Sequence, residues 1–114
     1  MTQDEKDILV KDLCARLPYG VILDCCKTVN ETLTLIDYKG LVNNDYDIDE
    51  VKPYLFPMSS MTDEQNLEYL RTCKGSNAGV PTLASFEWCN KNYFDYRGLI
   101  PMGLANDATG LKIY

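Results

Sequence analysis

Tyr93-Phe94-Asp95-Tyr96-Arg97-Gly98-Leu99-Ile100-Pro101-Met102-Gly103-Leu104 is the stretch around which the rest of the chain falls into place. It follows a helical pattern and carries three aromatics and an arginine, punctuated by Gly-x-x-Pro-x-Gly. Few surface loops hold so many large apolar side chains, so the segment is expected to fold back onto the core and tie helices to sheet. Phe94, Leu99 and Ile100 are expected to be buried. Gly98 is expected at positive φ, because it is the only residue from Phe94 to Ile100 that meets no side-chain penalty there.

Upstream of this stretch, Leu83 to Asn92 reads as a helix capped by Thr82, with Leu83, Phe86, Cys89 and Tyr93 on one stripe. Trp88, the only tryptophan, lies off that stripe. It is expected to pack beneath the tail loop, with a binding hot spot as the other reading. Arg97 is expected to pair with Asp95 or to hold loop carbonyls. Before that helix, Lys74 to Gly79 reads as an exposed loop, and Thr62 with Gln65 forms a capping box for a helix running to about Thr72. That helix is expected to bury Leu67 and Leu70, with Met61 and Cys73 beside them.

Nearer the N-terminus, Asp4 to Leu17 has the spacing of an amphipathic helix. Leu9, Leu13 and Leu17 recur with Val10 and Cys14 on an apolar face, acidic residues open it, and Arg16 closes it as the dipole favours. Cys14 is expected to be a buried, inert thiol. Pro18 stops the helix and Gly20 frees a turn. Val21 to Lys27 and Thr32 to Tyr38 read as an antiparallel hairpin joined through residues 28–31. Lys39-Gly40 reads as a turn, and Leu41-Val42 as a third short strand. Pro53 and Pro57 flank Tyr54-Leu55-Phe56 and argue against a helix or central strand. An extended segment laid across the core, anchored by Leu55 and Phe56, is expected there.

Composition excludes several chemistries. The chain has 114 residues, 46% of them hydrophobic, which suits one globular domain. No histidine is present, so His-based acid–base catalysis, His metal ligation and Ser-His or Cys-His triads are ruled out. A net charge of -6 argues against generic nucleic-acid binding, which needs a basic footprint. The five cysteines, Cys14, Cys25, Cys26, Cys73 and Cys89, form neither a paired framework nor a Cys-x-x-Cys motif. Asp45 to Glu50 starts like a calcium loop, but Glu50 and Phe56 stand where glycine and glutamate are required. It is read as an acidic turn, with a short helical turn at Asp49 to Lys52. No apolar run nears the roughly 20 residues of a membrane span, and the first seven residues are polar and acidic. A reduced, soluble cytoplasmic protein without cofactor or metal is expected.

Lys52-Pro53-Tyr54-Leu55-Phe56-Pro57-Met58-Ser59-Ser60-Met61-Thr62 and Phe94-Asp95-Tyr96-Arg97-Gly98-Leu99-Ile100 resemble a group of short uncharacterised proteins of gut Bacteroides and their phages. Asp12 to Gly20 is similar to the same group. The resemblance implies a phage or mobile-element origin and transfers no catalytic residue.

The expected fold is α+β: about three helices packed with a two- or three-stranded antiparallel hairpin sheet and an ordered C-terminal loop. Two functions fit. One is a non-enzymatic protein that binds a host or phage protein, in its most concrete form an inhibitor of a host enzyme or defence complex. The other is a small-ligand or nucleotide binder in which Trp88, Tyr93, Tyr96 and Arg97 stack on and pair with a planar anion.

Overall fold

A computed structural model describes residues 2–25, 31–43, 48, 51–73 and 80–114. The calcium-like acidic segment, the hairpin connection and the Lys74 to Gly79 loop fall almost wholly outside these residues. The fold is α+β. In chain order the elements are α1 (Gln3–Arg16), β1 (Ile22–Cys25), β2 (Glu31–Thr32), α2 (Leu35–Val42), β3 (Val51–Pro57), α3 (Asp63–Thr72), α4 (Leu83–Lys91), β4 (Phe94–Asp95) and β5 (Asn106–Asp107).

α1 begins where Thr2 and Glu5 cap each other's backbone N–H groups. It ends in a short 3-10 turn through Pro18, and Gly20 at φ 73° sends the chain into β1. A side chain on Gly20 would press on the Thr32 methyl at 3.3 Å. The buried stripe of α1 is Leu9, Asp12, Leu13 and Arg16. Cys14, expected inside, is exposed: the stripe is turned so that a polar pair occupies the inner face.

The hairpin of β1 and β2 forms in antiparallel register, Ile22 opposite Thr32. The expected second strand stops there. Residues 35–42 form α2, so Lys39-Gly40 is no turn and Leu41-Val42 no strand. The Tyr38 N–H bonds the Thr34 carbonyl, and Leu41 is buried while Leu35 is exposed. Short apolar runs fit period 2 and period 3.6 alike; packing against α1 selects the helix.

β3 overturns the reading of its two prolines: it is the central strand. It pairs antiparallel with β1 (Leu23 opposite Pro53) and parallel with β4 and β5. Among the described residues the sheet therefore has five strands and is mixed, rather than a two- or three-stranded antiparallel hairpin sheet. Val51, Pro53 and Leu55 point into the core while Lys52, Tyr54 and Phe56 are half-buried, the period of a pleated strand. The Tyr54 carbonyl turns toward β1, where it accepts from the Tyr114 hydroxyl (2.8 Å), which itself accepts from the Ile22 N–H (2.8 Å). Alternation of the pleat then aims the Pro53 nitrogen away from β1, so that ladder loses no donor. Lys52 lies in this strand, not in a helical turn.

α3 and α4 start at the expected caps, Thr62 with Gln65 and Thr82, which the structure pairs with Ser85. Their buried faces differ from expectation. α3 buries no residue completely, and Leu67 is 56% exposed. α4 buries Ser85, Cys89 and Asn90, leaving Leu83 and Phe86 outside. Hydroxyls join the pair: Thr82 donates to the Thr72 carbonyl (2.7 Å), and Thr72 donates to Ser85 Oγ (2.9 Å).

The C-terminal segment packs as expected. Phe94 and Leu99 are buried, Ile100 packs against the core at partial exposure, and Gly98 has φ 76°. The core joins Leu9 and Leu13 of α1, Val21, Leu23 and Leu55 of the sheet region, and Leu99 and Leu104. Among the described residues no helix is long and apolar enough to cross a membrane.

Candidate functional site

The four residues expected to bind a ligand fall at three places. Trp88 stacks on Phe94 (5.4 Å, 6°) and meets Tyr69 of α3 at 5.8 Å. Its indole N–H reaches Glu68 at 3.4 Å. It seals the seam between the helix pair and β4, under the tail segment as expected. Tyr93 sits at φ 64°, a conformation that costs a non-glycine residue about 1–2 kcal/mol. Two contacts hold it there: its ring stacks on Tyr114 at 3.7 Å, and its hydroxyl donates to the Tyr19 carbonyl (2.6 Å).

Tyr96 and Arg97 do come together. The Arg97 guanidinium lies 4.9 Å from the Tyr96 ring centre and donates from Nη2 to the Tyr96 hydroxyl (3.1 Å). Arg97 does not pair with Asp95. Asp95 instead accepts the N–H groups of Leu99 and Ile100, both at 2.9 Å, and so builds the turn around Gly98. The partner of Arg97 is Asp12 of α1, at 3.2 Å.

Asp12 also binds Arg16, at 2.8 Å, and both residues are fully buried. Arg16 sends Nη1 to the Cys89 carbonyl (3.4 Å) and Nη2 to the Phe94 carbonyl (2.6 Å). A buried guanidinium is tolerated only with such partners. The Asp12–Arg16 spacing of four residues was visible in the sequence, and it is the spacing of a helical ion pair. Placement of Arg16 in the last turn suggested dipole compensation instead. Two arginines thus share one carboxylate, and the Tyr96 ring lies against both, with Arg16 at 5.5 Å.

Above this cluster α1, α4 and the Tyr96-Arg97 corner enclose a concavity of about 480 Å³. Leu83 and Phe86 form its outer lip, and Phe86 packs on Tyr96 at 5.0 Å. Asn90 lines it, only 7% exposed, and its amide oxygen is buried without a hydrogen-bond partner. Leu83, Phe86 and Asn90 were absent from the expected site because α4 was read with Leu83 and Phe86 facing inward. Among the described residues no cluster of three cysteine, aspartate or glutamate side chains could hold a metal ion. Compared with family models, curated proteins and solved structures, the chain finds no match.

Proposed function

We propose that the protein works by binding another protein, and that the α4 face beside Tyr96 and Arg97 is its contact surface. The observation that carries this reading is the exposure of Leu83 (74%) and Phe86 (38%) next to an ordered tyrosine and arginine. Contact centres between proteins are rich in aromatic and arginine side chains set among apolar ones. Tyr96 and Arg97 are held by Asp12 and Phe86 before any partner arrives, which lowers the entropy lost on binding. The partner's identity rests on the sequence resemblance: a host enzyme or defence complex that the protein obstructs. The acidity of the chain suits a basic surface on that target.

The test compares capture of host proteins by the parent, by Leu83→Asp and by Leu67→Asp. Leu67 is exposed on α3 and does not line the concavity. One stoichiometric partner should be held by the parent and by Leu67→Asp, and lost from Leu83→Asp. No stoichiometric partner in several hosts, or equal retention by Leu83→Asp, overturns the reading.

The concavity itself favours a second reading, a planar anionic ligand stacked on Phe86 or Tyr96 and paired with Arg97. Trp88 and Tyr93 would take no part, since their rings are stacked elsewhere.

A further inference from the structure

A second cleft lies on the other side of Arg97, between α1 and α2. It measures about 690 Å³, within the roughly 300–1,000 Å³ of small-ligand sites. α1 contributes one face of its helix, residues 3, 6, 7, 10, 11 and 14, at the three- and four-residue spacing that aligns side chains. α2 faces it with Tyr38, Leu41 and Val42 at the same spacing, and Ile48 adds a further apolar group.

The chemistry of the lining is divided. Val10, Leu41, Val42 and Ile48 make it apolar, whereas Lys6, Lys11 and Arg97 bring three cations. Among the described residues Asp7 is the single carboxylate on the lining, and it accepts a hydrogen bond from Gln3 (2.9 Å). Neither Lys6 nor Lys11 pairs with a described acidic residue. Among the described residues the lining thus sets two lysines, and an arginine shared with Asp12, against one carboxylate over an apolar floor.

We propose that this cleft binds a small amphipathic anion, an apolar chain or ring of modest size bearing a carboxylate or phosphate. The apolar body lies against Val10, Leu41 and Val42, and the anionic head meets Lys6, Lys11 and Arg97. The site is separate from the α4 face, although Arg97 borders both.

Cys14 supplies the readout, because its exposed thiol lines the cleft. Half-buried Cys73 lies outside it and serves as an internal reference. The experiment measures iodoacetamide alkylation at each of the two cysteines by peptide mass spectrometry, with octanoate or with octanol. Octanoate should slow Cys14 several-fold in a saturable manner and leave Cys73 unchanged; octanol should do much less. Substituting Lys6→Gln with Lys11→Gln should raise the octanoate concentration needed by about tenfold, the scale of two partly exposed ion pairs. Val42→Asp, at a side chain 48% exposed and outside the core, should abolish protection without loss of fold. Octyl phosphate in place of octanoate distinguishes the two head groups. Equal protection by octanol, equal slowing of Cys73, or an unchanged double lysine variant overturns the proposal.

Discussion

α3 and the segment from Phe94 to Ala108 are opposites. α3 has every local sign of order, with a capping box, acidic residues at its start and Arg71 at its end, yet none of its residues is fully buried. The C-terminal segment contains only two two-residue strands, yet Phe94, Asp95, Leu99, Leu104, Ala105 and Ala108 are all buried. Regularity and burial are thus supplied by different physics. Capping and dipole terms contribute about 0.3–2 kcal/mol each and act locally. Burial of a large apolar side chain contributes about 1.5–3 kcal/mol and needs the whole fold.

The sharpest way to break this comparison is Phe94→Ala. Emptying that site should cost about 3–5 kcal/mol, much of the folding free energy of a small domain. Denaturant unfolding of the variant should show a molten or unfolded protein; a melting point within a few degrees of the parent would make the segment a surface feature. Asp95→Ala should come next. It strips the acceptors from the Leu99 and Ile100 N–H groups, the first of them buried, at a cost of about 1–3 kcal/mol. Asp95→Asn, which keeps one acceptor oxygen, should fall between this variant and the parent.

On the α3 side the effects should be smaller. Thr62→Ala removes the cap on Gln65 N–H and should cost about 1 kcal/mol, read as frayed amide exchange in the first turn. Leu67→Ser should shift stability by no more than about 0.5 kcal/mol, because the side chain has little packing to lose. A Leu67 effect larger than the Thr62 effect would mean that α3 is covered in the working state of the protein.

The same division explains what the sequence made legible. Caps at Thr62 and Thr82, the first helix, the start of the hairpin and the positive φ of Gly98 depend on neighbours in the chain, and all were readable. The content of the helix faces was not. Phe86 and Leu83 were assigned inward by hydrophobicity, but the inner position of α4 is held by Ser85, which bonds Thr72 across the helix pair. Pro53 counted against a central strand because its lost donor has a cost only if a neighbour needs it, and that depends on which edge the nitrogen faces. The parallel pairing of β4 and β5 with β3 involves two residues each, too short for any periodicity. Of the candidate site, Tyr96 and Arg97 were readable as members, though with Asp95 as the expected partner of Arg97; its actual anchor, Asp12, lies 85 positions away and was not.

The Arg16 contacts also fix an order of assembly. Its backbone acceptors, the carbonyls of Cys89 and Phe94, lie 73 and 78 positions further along the chain. Synthesis delivers α1 first, so Arg16 remains hydrated until those carbonyls are made. Only then can its guanidinium leave water, and only then is the buried stripe of α1 complete. Contacts so distant in sequence slow folding, because the intervening chain must be ordered before they form. A growing chain that has not reached Phe94 can bring α2 and the first strands to α1, yet it leaves the inner end of that helix, at Arg16, unfinished.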